Sequence, residues 1–110
     1  MGDRMLQVNP MVHQKLAEIV SRDLEVPAEF FITISRVHVD AGLKVADVWL
    51  SVIPFAKSQD ALAFIIRQKG LIQKTLARNI KLKYTPKLFF KIDDTAEKAS
   101  EIDQLLDSLN

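Results

Sequence analysis

The sequence predicts an α+β fold, in which helices cover a three-stranded sheet. Apolar residues recur at helical spacing in three segments and alternate with polar residues in three shorter, β-rich segments. The order of these segments along the 110 residues is α-β-β-α-β-α. Packing helices on one small sheet is an economical arrangement for this order. A chain of this length most simply forms one domain, residues 1–110, in which we expect residues 1–8 to be flexible.

The first helix is predicted to begin at Asn9-Pro10. Asn is a good acceptor at a helix N-cap, and Pro at the first helical position loses no N–H that the helix needs. Four apolar residues follow at helical spacing, and Pro27 bounds the helix; they are Val12, Leu16, Ile19 and Val20.

Two strands follow, joined by a tight turn. In residues 30–40, Ile32 and Ile34 alternate with polar residues, and Asp40-Ala41-Gly42 has the composition of a turn. The second strand then places four residues on one face: Ala46, Val48, Leu50 and Val52. We expect an antiparallel hairpin.

A long helix, a third strand and a last helix complete the chain. Ser58 can cap the long helix, which runs to about Ile80 with an apolar face of Leu62, Ile65, Ile66, Ile72, Leu76 and Ile80. The third strand starts at Thr85-Pro86 and points Leu88, Phe90 and Ile92 to one side. Residues 94–97 resemble a capping box. The last helix is predicted to bury Ala99, Ile102, Leu106 and Leu109.

The middle of the long helix contains an anomaly. On a straight helix Lys69 would point into the apolar face, where an unpaired ammonium is costly. Gly70 follows it, and Gly inside a helix costs about 1 kcal/mol relative to Ala. A kink at Gln68, Lys69 and Gly70 relieves both problems; the alternative is a straight helix from which Lys69 reaches solvent along its stem. If Gly70 has a non-helical dihedral there, Gly70→Ala is predicted to destabilise the fold.

The resulting order, α-β-β-α-kink-α-β with a C-terminal helix, matches a type II KH-like domain. RNA-binding KH domains clamp a single strand with a Gly-x-x-Gly loop between two helices. The glycines here are Gly2, Gly42 and Gly70, so that loop is absent from the sequence. The sequence therefore predicts a KH-like scaffold without the Gly-x-x-Gly loop that clamps a single strand.

Charge is sorted by segment. Residues 57–91 hold nine Lys and Arg against one acid, whereas residues 92–110 hold one base against six acids. At about 100° per residue, four cations of the long helix fall within about 60° of one another. A concentrated positive surface fits a polyanion, most often nucleic acid. The predicted RNA-binding residues are Arg67, Lys74, Arg78 and Lys81, flanked by Lys69 and Lys83.

Two alternatives to RNA binding remain open at this stage. A charged helix face is often simply solvated, and the same basic face could bind an acidic protein partner. The sequence predicts no catalytic group and no metal site, because His13 and His38 have no partners at ligand spacing. Asp93-Asp94 is better placed to cap a helix than to perform acid–base chemistry. Trp49 lies on the outer strand face, either packed under another element or exposed as a stacking platform.

Three segments resemble the bacterial ribosome-binding factor A family over roughly residues 9–109. The most specific is residues 85–95, TPKLFFKIDDT, which is similar to the family signature T-P-x-L-x-F-x-x-D-x-S/T. Residues 31–39 and 43–52 resemble the first two strands, and Gly70 stands at the glycine of an Ala-x-Gly kink. Gln68 replaces the Ala of that kink. The first helix, often basic in the family, offers only His13, Lys15 and Arg22 as cations.

The resemblance implies an assembly factor for the small ribosomal subunit that performs no covalent chemistry. Such a factor binds the immature subunit and its ribosomal RNA and assists late maturation and RNA processing, especially in the cold. We therefore expect a cytoplasmic binding protein that is a monomer, with no cofactor, no small-molecule substrate and no membrane association. No apolar run in the sequence approaches the roughly 18 residues that span a bilayer, and the first residues lack a signal-peptide pattern.

Overall fold

The computed structural model describes residues 2–109 of the chain, with side chains from residue 7 onward. The elements, in chain order, are α1 (Gly2–Arg22), β1 (Phe31–Val39), β2 (Val45–Ile53), α2 (Ser58–Arg67), α3 (Lys69–Asn79), β3 (Lys87–Ile92) and α4 (Thr95–Ser108). This order confirms the predicted α+β arrangement.

The three strands form one sheet in the order β1-β2-β3. Strands β1 and β2 are antiparallel, from the pair Phe31 and Ile53 to the pair Val39 and Ala46. Strand β3 runs parallel to β2, so the chain must cross over between them, and helices α2 and α3 form that crossover. The central strand β2 therefore has a neighbour on both sides.

Strand β1 contains a β-bulge at Ser35. Ile34 pairs with Leu50 and Arg36 pairs with Trp49, so Ser35 is an extra residue on β1. The Ser35 hydroxyl donates to the Trp49 carbonyl over 3.2 Å. Because of the extra residue, the buried positions change from even to odd numbers along the strand while staying on the same face.

The core lies between the inner sheet face and helices α1, α2 and α3. Leu16, Leu50, Ile65, Ile72 and Leu88 are completely buried in it. Helix α2 packs through Ala61, Phe64 and Ile65, and the predicted core residue Ile66 is 54% exposed. The helices cover one face of the sheet only.

Helix α1 begins earlier than the sequence predicts. It starts at Gly2, and Pro10 lies inside it. Asn9 is not the N-cap: its side-chain oxygen accepts a 2.8 Å hydrogen bond from the backbone N–H of Val39, at the end of β1. Val8, the last residue of the segment predicted to be flexible, residues 1–8, is buried in the core. Met1 lies outside the described residues.

Helix α2 also begins differently from the prediction. A turn of 3₁₀ helix at Phe55–Lys57 precedes it, and Ser58 is its first residue rather than its cap. The buried Ser58 hydroxyl donates to the Phe55 carbonyl over 2.6 Å. The Ser58 side chain therefore links the first residue of α2 to the preceding 3₁₀ turn.

The largest difference concerns α4. The prediction that this helix buries Ala99, Ile102, Leu106 and Leu109 is wrong, because none of its residues is buried. Its large apolar side chains are more than half exposed, from 55% for Leu106 to 75% for Leu109. An amphipathic pattern indicates an apolar stripe but does not identify what covers it. Nothing in the described part of the chain covers this stripe.

Candidate nucleic-acid interface

The helix between β2 and β3 is interrupted at Gln68. Gln68 has φ −89° and ψ 1°, outside the range of a regular α-helix, and it separates α2 from α3. Its backbone N–H still bonds to the carbonyls of Phe64 and Ile65, and its carbonyl accepts from Ile72. The interruption falls inside the predicted kink of Gln68, Lys69 and Gly70, at its first residue.

The expectation that Gly70 has a non-helical dihedral is wrong. Gly70 lies in the first turn of α3, and no described glycine has a positive φ. A Cβ atom built on Gly70 would meet no other atom within 4 Å. Neither backbone conformation nor space requires glycine at this position.

The six predicted RNA-binding cations lie on three consecutive parts of the chain. Arg67 ends α2; Lys69, Lys74 and Arg78 lie on α3; Lys81 and Lys83 follow α3. Placing Lys81 on the same helical face was wrong, because α3 ends at Asn79 and Ile80 is extended, with φ −119° and ψ 146°. Five of the six are exposed and Lys69 is half-buried.

None of these six cations takes part in an ion pair within residues 7–109. The four ion pairs found there involve other lysines: Lys15 with Glu18, Lys57 with Asp60, Lys91 with Asp47, and Lys98 with Asp94. A group of uncompensated cations gives a positive potential that attracts polyanions. Residues 67–83 therefore form a positively charged surface, and we call it the basic segment.

Two of the three candidate cations on α1 have partners inside the protein. The half-buried His13 donates from Nε2 to the Ile34 carbonyl over 2.7 Å, next to the bulge of β1. Lys15 lies 3.7 Å from a Glu18 carboxylate oxygen. Arg22 is exposed at the end of α1 and lines a small cleft that also includes Asn79.

The side chain of Lys69 connects the basic segment to β3. Its Nζ lies 5.0 Å from the centroid of the Phe89 ring, and Nζ of Lys87 lies 5.5 Å from the same centroid. Both distances are within the range of a cation–π contact. Lys69 and Lys87 also line an open groove together with Gly70, Gln73 and Thr85.

The sequence left the position of Trp49 open, and the structure resolves it. Trp49 is half-exposed on the outer face of the sheet. The guanidinium carbon of Arg36 lies 4.1 Å from its ring centroid, and Nζ of Lys91 lies 5.3 Å away. The predicted RNA-binding residues did not include Arg36, Lys87, Phe89 or Lys91. For Phe89 and Lys91, the sequence did contain a signal: both alternate with the inward residues of β3, which places them on the outer sheet face.

The aspartates at the end of β3 act on the backbone. The Asp93 side chain accepts from the hydroxyl of Thr95 over 2.6 Å and from its backbone N–H over 3.0 Å. The Thr95 hydroxyl, followed by that N–H, holds the pKa of Asp93 below its ordinary value. Asp94 makes no side-chain cap bond and pairs with Lys98 instead.

Across the described residues, no three His, Asp or Glu side chains converge as metal ligands, and no helix is long and apolar enough to span a membrane.

Comparison with known proteins adds to this geometry. The family model for ribosome-binding factor A matches residues 4–106. The chain belongs to the ribosome-binding factor A family. A ribosome-binding factor A from Akkermansia muciniphila is 30% identical over 110 residues, which cover 100% of this chain and 87% of that protein. Another, from Desulforamulus reducens, is 28% identical over 111 residues and covers 100% and 92%.

Solved structures of ribosome-binding factor A share the fold. The crystal structure of the Thermus thermophilus protein has a TM-score of 0.72 at 24% identity and covers 80% of this chain and 93% of that one. A homology model of the Thermus thermophilus protein, fitted into the cryo-EM map of a 30S–RbfA complex, has a TM-score of 0.63 at 23% identity and covers 79% and 92%. The fold is the predicted KH-like one.

Proposed function

We propose that this protein is an assembly factor that binds the immature small ribosomal subunit and its ribosomal RNA. It assists late maturation and RNA processing, especially in the cold, and it does so without covalent chemistry. Membership of the ribosome-binding factor A family supports the proposal. The Thermus thermophilus relative, which shares the fold, was fitted into a map of a complex with the 30S subunit.

The observation that carries the RNA contact is the set of uncompensated cations in the basic segment. Phosphate contacts from Lys and Arg supply most of the sequence-independent affinity for nucleic acid, through release of counterions. We assign these contacts to Arg67, Lys69, Lys74, Arg78, Lys81 and Lys83. Their side chains are not held by acids in the described structure, so phosphate binding breaks no ion pair.

The proposed partner is the ribonucleoprotein itself. The protein acts in the cytoplasm as a monomer, with no cofactor and no small-molecule substrate. The acidic α4 segment keeps the formal net charge of the chain at +1, so binding depends on where the positive charge is concentrated and not on overall charge.

Co-sedimentation tests this proposal. Purified protein is added to a cell extract and separated on a density gradient, and we expect it to migrate with free or immature small subunits. The ribosomal RNA recovered with it is expected to have the same length before and after incubation. Recovery only with a protein partner after nuclease treatment, or only with membranes, would contradict the proposal.

A further inference from the structure

We propose that the outer face of the sheet is a second RNA-binding surface, on which unpaired bases of single-stranded RNA stack against Trp49 and Phe89. We call it the stacking face. This inference rests on the proposed function, because it assigns a second contact to the same RNA partner. It differs from the basic segment in the chemistry that it recognises: base faces in addition to phosphates.

Phe89 is exposed and Trp49 is half-exposed because of their positions in the strands. Trp49 alternates with the buried Val48 and Leu50 on β2, and Phe89 follows the buried Leu88 on β3. Phe89 is 41% exposed. In the register of the sheet, Trp49 pairs with Lys91 and Phe89 pairs with Asp47, so the rings are diagonal neighbours on adjacent strands. Strand spacing and rise place their Cα atoms roughly 8 Å apart.

Cations surround both rings. Arg36 and Lys91 lie over Trp49, and Lys69 and Lys87 lie over Phe89. A groove that combines positive charge with exposed aromatic rings is the common arrangement in proteins that bind single-stranded nucleic acid. Bases stack there on aromatic rings and on guanidinium planes, while the cations contact the phosphates.

The bulge of β1 places Arg36 on this face. If Ser35 were paired regularly instead of bulged, the alternation that buries Ile32 and Ile34 would continue to position 36 and point Arg36 toward the core. The bulge instead sets Arg36 opposite Trp49, and the Ser35 hydroxyl bonds to the Trp49 carbonyl. Bulges often re-aim a side chain at a functional surface.

The stacking face selects for unpaired RNA. In a duplex the base faces are stacked on one another and unavailable, so only loops, bulges and single strands can use the rings. Lys69 belongs to the basic segment and lies over Phe89, so the two surfaces are continuous. A paired region on the basic segment and an adjoining unpaired strand on the stacking face can therefore be bound together.

Trp49 is the only tryptophan in the chain, so its fluorescence emission reports directly on binding at the stacking face. The full-length protein is titrated with a single-stranded oligouridine and, separately, with a duplex RNA of the same length. Binding is followed both by anisotropy of the labelled RNA and by tryptophan emission. We expect the single strand to quench Trp49 emission at saturation and the duplex to bind with little quenching, because only unpaired bases stack on the ring.

Phe89→Ala and Phe31→Ala form a matched pair of variants. Phe31 lies on the same sheet face and is 73% exposed, but no cation of the described residues lies over its ring. Phe89→Ala is expected to weaken single-strand binding roughly 5- to 100-fold with no change in its salt slope, since stacking releases no counterions. Phe31→Ala is expected to bind like the wild type. Circular dichroism verifies that both variants fold.

Two results would overturn the inference while leaving the proposed function in place. One is unchanged Trp49 emission at saturation together with wild-type affinity of Phe89→Ala for the single strand. The other is a Phe89→Ala variant that binds all RNA normally but no longer sediments with small subunits, which would assign this face to a protein. If the wild-type protein bound neither the single strand nor the duplex, both proposals would be overturned.

Discussion

The side-chain amide of Gln73 on α3 makes hydrogen bonds to the backbone at Leu88 on β3, as the backbone of a neighbouring strand would. Its Oε1 accepts from the Leu88 N–H over 3.3 Å, and its Nε2 donates to the carbonyl of Pro86, two residues earlier, over 2.7 Å. The amide thereby satisfies backbone groups at the start of the edge strand β3. It also fixes α3, which carries Lys69, Lys74 and Arg78, to the sheet.

Gln73→Ala is expected to lower the free energy of unfolding by about 1–3 kcal/mol, because two part-buried backbone groups lose their partner. Gln73→Glu keeps the acceptor but sets a carboxylate oxygen against the Pro86 carbonyl, so we expect it to be no less destabilising. Urea denaturation measures both variants. Gln14→Ala on the exposed surface of α1 is the control and is expected to change stability by less than about 0.5 kcal/mol. Wild-type stability of Gln73→Ala would show that this pair does not hold α3.

Gly70→Ala is expected to raise the free energy of unfolding by about 0.5–1 kcal/mol. Gly70 is helical and its missing Cβ faces open space, so Ala adds helix propensity without strain. This reverses the effect predicted from the sequence. The urea midpoint provides the measurement, and a lowered midpoint would show that the junction at Gln68 depends on the freedom of glycine.

Arg78→Glu is expected to reduce affinity for small-subunit RNA and to lower the slope of log affinity against log salt by at least one. The exposed Arg78 has no ion pair among residues 7–109, so reversing its charge leaves the fold intact. Arg22→Glu on α1 is expected to cost less, because it lies outside the basic segment. Lys98→Glu on α4 makes the same change in net charge and is the control.

A salt titration of RNA binding by each variant supplies the comparison. If Arg78→Glu retains wild-type affinity and slope while Arg22→Glu abolishes binding, the RNA surface lies on α1 and the assignment to the basic segment is wrong.

Removing residues 96–110, which leaves the bonds between Thr95 and Asp93 in place, is expected to change the free energy of unfolding by less than about 0.5 kcal/mol. None of the described residues of α4 is buried, and surface changes away from special contacts usually have effects of this size. Leu76→Ala in the completely buried part of α3 is expected to cost about 2–5 kcal/mol and provides the reference. A truncated chain that unfolds at much lower urea would show that α4 packs on the core in solution.

The sequence predicted those features that local spacing determines. Apolar alternation and helical spacing identified every strand and the order of the helices. Burial of α4 was predicted wrongly because the pattern of Ile102 and Leu106 defines an apolar stripe without naming its partner. Asn9 was assigned to a helix cap because its oxygen accepts equally well from a helix or, as here, from Val39.

The candidate site was predicted only in part, because local spacing shows which residues are charged but not which tertiary partners they meet. The charge of residues 67–83 could be counted, but its division among α2, α3 and the following loop depends on where the helices end. The sequence offered Trp49 as a possible stacking platform, but it did not predict that Arg36 lies beside it, because Arg36 meets Trp49 only through pairing between strands and through the bulge. The signal was present: Ile32 and Ile34 are even-numbered, whereas Val37 and Val39 are odd-numbered.

The bulge at Ser35 makes β1 one residue longer than its pairing with β2 needs. A chain lacking Ser35 would have unbroken alternation, with Ile34 still inward and Arg36 still outward, because deletion of the extra residue restores the period of two. A deletion at Ile32 or Val37 would instead turn part of the strand inside out. Strand β1 can therefore change its length at one point without exchanging its two faces, and such changes among related chains would accumulate at Ser35.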